Sequence, residues 1–145
     1  MIVLDANLLL YAYDDQSPFH RQAKLWIERV FSDTAPVGLP WQTISAFLRI
    51  VTNPRLPGQR FSMAEAVATV DEWLGQSNVR LLPMTERHWS IFQQILLDGQ
   101  AHGPLVSDAQ LAALTLEYGG VLHTTDRDFS RFPGLRWVNP LRSQL

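Results

Sequence analysis

The sequence predicts an α/β fold built on a mostly parallel sheet. Short apolar runs typical of buried strands alternate with longer stretches of helical periodicity, and turn-forming residues separate them. The chain has 145 residues, of which 46% are hydrophobic and 18% are charged, and this is enough apolar material for the core of one domain. No repeat, low-complexity tract or linker divides the sequence, so we expect a single domain over residues 1–145.

Turn and cap signals set the predicted boundaries in the first half of the chain. Ser17 followed by Pro18 is typical of a helix start, with serine as the N-cap and proline as the first helical residue. Pro54 ends the helix before it, because proline disfavours helical backbone in the preceding residue. The predicted elements are a strand over residues 2–4, a turn or helix over 8–11, an amphipathic helix over 19–31, a short strand over 37–39 and a helix over 41–51.

The second half of the chain continues the alternation. Ser62 with Glu65 forms a capping-box sequence at a helix start, and Gly75 ends that helix. Ser107 is a further candidate N-cap, for a helix that runs to Tyr118 and stops at a pair of glycines. The predicted elements are a loop over residues 55–60, a helix over 63–74, a strand over 79–82, a helix ending near 99, a loop over 101–106, a helix over 108–118, a strand over 121–124, a polar loop over 127–134 and a strand over 135–138.

Composition excludes several kinds of site. Without cysteine there is no disulfide, thiolate metal site or cysteine nucleophile. The sequence also contains no Walker-type phosphate loop, dinucleotide-binding fingerprint or nucleophile elbow. No apolar run is long enough to span a bilayer and residues 1–5 lack the basic start of a signal peptide, so we expect a cytoplasmic protein. A net charge of −2 provides no general attraction for nucleic acid.

Acidic residues stand where the predicted strands end. Asp5 follows the first strand, Asp126 and Asp128 follow the strand over 121–124, and Asp108 lies in the first turn of the helix before that strand. Because functional groups of parallel α/β sheets gather beyond the carboxyl ends of the strands, we expect these acids at one edge. Like charges held together repel, and a hard divalent cation such as Mg²⁺ neutralises them through oxygen ligands. Such a cation can activate water and stabilise the charge on a phosphate.

Each acid also has a structural interpretation. Taken alone, Asp108 is more simply a residue favoured at a helix start, and Asp126 is more simply a turn former. Asp5 is harder to explain, because an acid directly after a buried strand has little evident structural purpose. The functional interpretation of Asp108 and Asp126 therefore depends on their sharing one edge of the sheet with Asp5.

Five stretches of the sequence, in this order, resemble the PIN-domain family and, within it, the VapC-type toxins of bacterial toxin–antitoxin pairs. The resemblance covers nearly the whole chain. Each stretch is weak evidence alone, but the ordered set is specific. The matching stretches are residues 2–7 (IVLDAN), 46–55 (AFLRIVTNPR), 105–114 (LVSDAQLAAL), 124–129 (TTDRDF) and 132–138 (FPGLRWV).

The resemblance implies a three-layer α/β/α sandwich with a central, mostly parallel sheet, and cleavage of RNA that depends on Mg²⁺ or Mn²⁺. It implies that Asp5, Asp108 and Asp126 bind the metal and that Asp128 assists catalysis. It further implies a homodimer and a small VapB-type antitoxin that blocks the site. The polar neighbours that would orient the acids are Asn7, Ser107, Thr124 and Thr125.

One position departs from the family pattern. Many relatives carry a glutamate directly before the sequence Phe47-Leu48-Arg49, where this chain has Ala46. The site therefore lacks one expected carboxylate, which leaves open weaker metal binding, a one-metal site or reduced activity. Gln42, one helical turn earlier, is a candidate neutral oxygen ligand.

Three functions stay open on the sequence. The first is an endoribonuclease toxin, in which metal-activated water hydrolyses an RNA phosphodiester. The second is another acid-cluster phosphohydrolase or phosphotransfer domain, although residues 5–7 lack the second acid of the Asp-x-Asp motif of haloacid-dehalogenase phosphatases. The third is a catalytically weak or inactive module that binds RNA or a partner protein, with Ala46 marking the lost activity.

Other residues are secondary candidates. The four histidines are not spaced as metal ligands, so we expect His88 to lie on a helix surface or in packing and His123 to be structural. Several arginines are candidates for contacts with RNA phosphates, although a surface salt bridge is the simpler role for any one of them. These arginines are Arg49, Arg55, Arg60 and Arg127. The tryptophans predicted to be core or interface residues rather than base-stacking residues are Trp41, Trp73, Trp89 and Trp137.

Overall fold

A computed structural model describes residues 1–56 and 61–142 of the chain. Within these residues, five strands form one sheet that α-helices cover on both faces. The strands are β1 (Ile2–Leu4), β2 (Val37–Pro40), β3 (Val79–Leu82), β4 (Val121–His123) and β5 (Trp137–Val138). The helices are α1 (Ala6–Tyr13), α2 (His20–Ser32), α3 (Trp41–Val51), α4 (Met63–Leu74), α5 (His88–Asp98), α6 (Leu105–Glu117) and a short 3-10 helix (Arg127–Arg131).

The sheet is parallel in all four of its strand pairings, and its strand order is β3-β2-β1-β4-β5. The chain therefore builds outward in one direction from β1 to β3, and in the other direction with β4 and β5. Ligand sites of open α/β sheets lie at such a switch in direction, beyond the carboxyl ends of the strands. Leu4 pairs with His123 in register, so Asp5 and Thr124 leave the neighbouring strands β1 and β4 side by side.

Apolar side chains cover both faces of the sheet, which makes the three layers. Val3 and Leu4 are both fully buried, and neighbouring residues of a strand point to opposite faces. Leu4 packs in one core cluster with residues of α1 to α4, whereas Val3 packs in a second cluster with residues of α5, α6 and the 3-10 helix. A sheet buried on both sides has strands that are apolar throughout. The predicted α/β/α sandwich is confirmed.

Two glycines bring β4 close to β1. Gly119 has a φ of 61°, in the left-handed region that glycine adopts without strain, and it follows Tyr118, the C-cap of α6. At Gly120 a Cβ would lie 2.9 Å from Val3 Cγ2 and 3.0 Å from the Met1 carbonyl. The glycine pair that predicts the end of α6 therefore also lets the chain enter the sheet beside β1.

The predicted starts of α2 and α6 are both wrong, and a proline lies close to each of these helix starts. The Ser17 hydroxyl accepts a hydrogen bond from Phe19 N at 3.1 Å within a turn, and α2 begins only at His20. A serine hydroxyl serves a local turn as well as a helix cap, and here the turn prevails. Helix α6 begins at Leu105, before Ser107, with Pro104 at the N-cap position. Proline favours a helix start through its fixed φ, here −60°.

Other boundaries follow the predictions more closely. The capping box is confirmed, because Ser62 Oγ accepts from Glu65 N and Glu65 Oε1 accepts from Ser62 N, each at 3.1 Å. Strand β4 ends one residue earlier than predicted, β5 begins two residues later, and the polar loop over 127–134 contains the 3-10 helix. Much of the predicted loop over 55–60, including Pro57, Gly58 and Arg60, lies outside the described residues. In the described ranges, no helix combines the length and apolarity needed to cross a membrane.

Candidate active site

Thr124 connects the groups that leave the two central strands. Its side chain is fully buried, and its hydroxyl donates to Asp5 Oδ2 at 2.7 Å. Thr124 Oγ1 in turn accepts hydrogen bonds from Asn7 Nδ2 at 3.1 Å and from Asp126 N at 3.0 Å. A hydroxyl has one hydrogen and two lone pairs, so its bonding capacity is fully used. Thr124 therefore fixes the Asp5 carboxylate relative to the backbone of Asp126.

Asp5 has a structural role as well as a place in this network. Its Oδ1 accepts a hydrogen bond from Ala6 N at 2.7 Å, which makes Asp5 the N-cap of α1. Burial raises the pKa of Asp5, the hydrogen bonds from Thr124 and Ala6 oppose that rise, and the charge of Asp126 adds to it. The expectation that this acid lacks a structural purpose is therefore wrong.

Asp108, Asp126 and Asp128 form a cluster in which one carboxylate oxygen of each lies within 4.8 Å of the others. Asp108 belongs to the first turn of α6, and Asp126 caps the 3-10 helix by accepting from Asp128 N at 2.9 Å. Burial and the charges of Asp126, Asp5 and Asp128 raise the pKa of Asp108 to about 6, although Arg131 opposes the shift. The four predicted acids thus lie at one edge of the sheet, where Asp5 stands outside the close cluster and interacts with Asp126 and Asp108 through its charge.

Arg131 is the basic residue at this cluster that sequence reasoning did not single out. It is the last residue of the 3-10 helix, its side chain is exposed, and its charge lowers the pKa of Asp108. A 3-10 helix has three residues per turn, so Arg131 lies on the same side as Asp128. The spacing of three residues between Asp128 and Arg131 is the one feature of the sequence that could have indicated this role. It becomes informative only once the 3-10 helix is known.

The oxygen atoms at this edge suit a hard divalent cation. Carboxylates held together repel one another unless a cation neutralises them, and Mg²⁺ and Mn²⁺ prefer oxygen ligands. Asn7 adds a neutral oxygen beside the acids. Its Nδ2 is bonded to Thr124, while its Oδ1 is buried without a hydrogen-bond partner among the described residues. A buried acceptor left in this state costs free energy, which a cation or its water would recover.

The model of the PIN domain family matches residues 2–135 of the chain. This chain belongs to the PIN-domain family. Among curated relatives, Ribonuclease VapC33 of Mycobacterium tuberculosis is 40% identical over 142 residues, which cover 98% of this chain and 99% of that protein. Ribonuclease VapC43 of the same organism is 37% identical over 144 residues, which cover 99% of this chain and 98% of that protein.

Solved structures with the same fold include VapBC2 from Rickettsia felis, bound to a DNA fragment from its promoter. That structure has a TM-score of 0.71 at 14% identity, over 96% of this chain and 98% of the other. VapC20 of Mycobacterium tuberculosis, described as a toxin that cleaves the sarcin–ricin loop, has a TM-score of 0.66 at 21% identity. The match spans 94% of this chain and 99% of the VapC20 chain. At these identities the likeness shows the PIN fold alone.

Ala46 stands where the resemblance implies a glutamate. It lies half-buried on α3, one turn after Gln42. The Gln42 amide donates to the carbonyl of Ser107 at 2.8 Å, so Gln42 connects the start of α3 to the start of α6. Ser107 contributes this carbonyl from within the first turn of α6, and its side chain is exposed. Thr125 is half-buried in the turn between β4 and Asp126.

The arginines predicted to contact phosphates are all exposed where the structure describes them. Arg127 stands between Asp126 and Asp128, Arg49 lies on α3, and Arg55 lies in the turn beyond it. Arg60 lies outside the described residues. In this PIN domain, Arg127 is therefore the predicted arginine nearest to the acids along the chain.

The histidines and tryptophans lie in the fold as follows. His88 Nδ1 is 2.6 Å from Glu117 Oε2, and its side chain is only 12% exposed, which confirms packing. His123 has its ring nitrogens buried, and burial lowers its pKa to about 4. Trp73 is a core residue, and Trp137 packs against the second core cluster. Trp41 and Trp89 are both exposed, so of the predicted core or interface roles the core role is wrong for these two.

Proposed function

We propose that this PIN domain is a divalent-metal-dependent endoribonuclease and the toxin of a VapBC-type pair. The observation that carries the proposal is the cluster of Asp108, Asp126 and Asp128, whose oxygens lie within 4.8 Å, with Asp5 bonded to the same hydroxyl that holds Asp126. The relatives that match this chain from end to end are named ribonucleases, which supports RNA as the substrate.

Asp5, Asp108 and Asp126 would hold the cation, with Mg²⁺ as the first choice and Mn²⁺ as the second. When bound there, the cation lowers the pKa of water and stabilises charge that develops on the phosphate. With Ala46 in place of the glutamate, the site has four carboxylates, counting Asp128. We therefore propose a site for one cation.

The remaining groups of the site have separate tasks. Asp128 is the most exposed acid of the cluster, and we assign to it the acceptance of a proton from the attacking water. Arg131, beside Asp108, would neutralise a non-bridging phosphate oxygen through a charge-assisted hydrogen bond. Thr124 and Asn7 hold the acids in position through the hydrogen bonds already described.

The proposed partner is a VapB-type antitoxin that blocks the acid cluster. The likeness in fold to the Rickettsia VapBC2 complex supports this partner. We also propose that the chain forms a homodimer, as the resemblance to VapC-type toxins implies. RNA and antitoxin would meet the protein in the cytoplasm.

Cleavage of RNA by the purified chain, free of copurified antitoxin, tests this function. We expect cleavage of mixed structured RNAs in Mg²⁺ or Mn²⁺ and none in EDTA. Asp126→Asn should lower the rate more than about 100-fold, because it removes a charged metal ligand. Asp71→Asn is the matched control, since Asp71 is an exposed acid of α4, and it should cut at the wild-type rate.

Two outcomes of this assay would contradict the proposal in different ways. Cleavage that survives EDTA and Asp126→Asn would show that another site, or a contaminant, cuts the RNA. Binding of RNA without cleavage of any RNA offered would favour the non-catalytic module, with Ala46 as the mark of lost activity.

A further inference from the structure

Trp41 exposes an aromatic side chain at the edge of the sheet that carries the acids. It is the first residue of α3, directly after β2, and its side chain is 55% exposed. Burying an indole is worth several times more than burying a methylene group, so an exposed indole is a surface on which a ligand gains affinity.

One hydrogen bond places Trp41 near the acid cluster. Its neighbour Gln42 donates to the carbonyl of Ser107, and Ser107 directly precedes Asp108. Val106, which is 40% exposed, belongs to the same turn of α6. The starts of α3 and α6 are therefore joined beside the acids, and Trp41 is the exposed first residue of α3 at that junction.

The exposed face of α3 continues from Trp41 to an arginine. Trp41, Ser45 and Arg49 are four residues apart and all exposed, so they share one face of the helix. Arg49 lies about 12 Å further along the helix axis. This face therefore offers an aromatic ring at the start of α3 and a positive charge further along the helix.

We propose that Trp41 stacks on an unpaired base of the RNA next to the scissile phosphate, and that Arg49 receives a phosphate of the same strand. The inference rests on the proposed ribonuclease function and adds to it a residue that positions the substrate, namely Trp41. Stacking needs a base that has left the duplex, and it tolerates any base because each has a π face.

The negative charge of the protein explains why an uncharged contact such as base stacking would help RNA to bind. The protein has a net charge of −2, and its acids repel the phosphates of an approaching strand. Attraction between basic residues and phosphates dominates the affinity of many nucleic-acid-binding proteins, but this chain lacks the basic excess for it. A base stacked on Trp41 supplies affinity without adding charge beside the cation site.

Trp89 provides a matched control. It is 64% exposed and is the second residue of α5, beside His88. His88 pairs with Glu117, which lies about 13 Å from Asp108 along α6. Replacing Trp89 removes an equally exposed indole from the end of α6 that is remote from the acids.

The first measurement is the binding of a short fluorescein-labelled single-stranded RNA, in EDTA, to the wild type and to Trp41→Ala, Trp41→Phe and Trp89→Ala. We expect Trp41→Ala to raise the Kd roughly tenfold, Trp41→Phe to restore most of the affinity, and Trp89→Ala to match the wild type. The same RNA as a duplex should bind weakly and should not distinguish the variants.

The second measurement gives kcat and KM for the same four proteins in Mg²⁺, with RNAs that each carry one abasic nucleotide. At one position near the cut, the missing base should raise the KM of the wild type roughly tenfold and leave that of Trp41→Ala unchanged. Binding that changes as expected without any cleavage would refute the ribonuclease function and leave the stacking contact standing.

Three results would overturn the stacking contact. Cleavage with the same KM for wild type and Trp41→Ala on every RNA would do so while the ribonuclease function stands. Absence of binding by the wild type to single-stranded RNA would also overturn it. The third result combines two observations: Trp41→Ala converts a dimer to monomers by light scattering, and the affinity for RNA does not depend on the position of the abasic nucleotide. This result would assign the indole to an interface between copies of the chain.

Discussion

Thr124 holds three groups that come from different parts of the chain, namely the Asp5 carboxylate, the Asn7 amide and the Asp126 backbone. Its hydroxyl is fully buried, so no water can substitute for a lost bond without a cavity. One oxygen atom therefore links the Asp5 carboxylate to Asp126 of the acid cluster.

Replacing Thr124 with valine should impair both folding and activity. Valine keeps the shape of threonine but leaves the Asn7 amide and Asp126 N–H without an acceptor, and each unsatisfied buried group costs about 1–3 kcal/mol. We expect urea unfolding to show a free energy lower by about 2 kcal/mol. RNA cleavage should fall about 10- to 100-fold. Thr124→Ser should restore both, and a fully active Thr124→Val would show that these bonds do not position the acids.

At the residue scale, the sequence predicted the acids better than their surroundings. The shared location of Asp5, Asp108, Asp126 and Asp128 could be predicted because each stands near a strand end or helix start. The role of Thr124 depends on the register between β1 and β4, which no local pattern encodes. Arg131 was missed for a similar reason, since it reaches the cluster only through the 3-10 helix.

Helix α6 has different chemistry at its two ends. Asp108 lies in its first turn at the acid cluster, whereas Glu117 ends it with a side chain that is fully buried. Glu117 Oε1 accepts from Thr85 N at 2.9 Å and from Thr85 Oγ1 at 2.8 Å, and its Oε2 faces His88. Burial raises the pKa of Glu117, but these hydrogen bonds outweigh burial and hold the pKa below its ordinary value.

Glu117→Ala should separate stability from activity. The change leaves the Thr85 amide and His88 without their partner, and breaking a buried pair costs about 3 kcal/mol in urea unfolding at neutral pH. Below the temperature of unfolding, cleavage should continue at the wild-type rate, because the acids are at the other end of α6. Glu86→Ala is the control, since Glu86 is exposed in the same connection.

The stabilisation that Glu117 provides should depend on pH. The pKa of Glu117 is lowered in the folded state, so its contribution is present above the unfolded pKa and is lost as the pH falls through the folded one. The difference in the free energy of unfolding between wild type and Glu117→Ala should therefore become smaller as the pH falls. An equal free energy of unfolding for the two proteins at neutral pH would contradict the structural role.

At the element scale, caps decided which boundaries could be predicted. Ser62 and Glu65 form a reciprocal pair of hydrogen bonds, and the helix they predict is found at its expected residues. Ser17 has no glutamate or glutamine three residues later. Ser107 has Gln110 at that position, but Gln110 Nε2 lies 3.4 Å from His88 Nε2, and neither serine serves as an N-cap. The pairing of His88 with Glu117 links α5 to α6 across 29 residues, so no local signal reveals it.

At the scale of the whole molecule, the arrangement of the strands explains why the acids meet. Alternating strands and helices predicted a parallel sheet, and its carboxyl edge was the expected place for the acids. The strand order β3-β2-β1-β4-β5 did not follow from the sequence, because nothing local tells β4 to pair with β1 rather than with β3. That pairing places Asp5 beside Thr124 and Asp126.

Repulsion among the acids has a consequence for metal binding. The pKa of Asp108 is raised to about 6, so a proton occupies this carboxylate below that pH. A cation that needs the ionised form competes with the proton and should bind more weakly in acid.

Calorimetric titration of Mn²⁺ into the purified protein tests the central claim, that these acids form one divalent-cation site. At about pH 7.5 we expect one cation to bind, with weaker binding at about pH 5, where Asp108 is protonated. Asp126→Asn should abolish the binding and Asp71→Asn should leave it unchanged. Binding of Mn²⁺ by Asp126→Asn with wild-type affinity, or no binding by the wild type, would contradict the account.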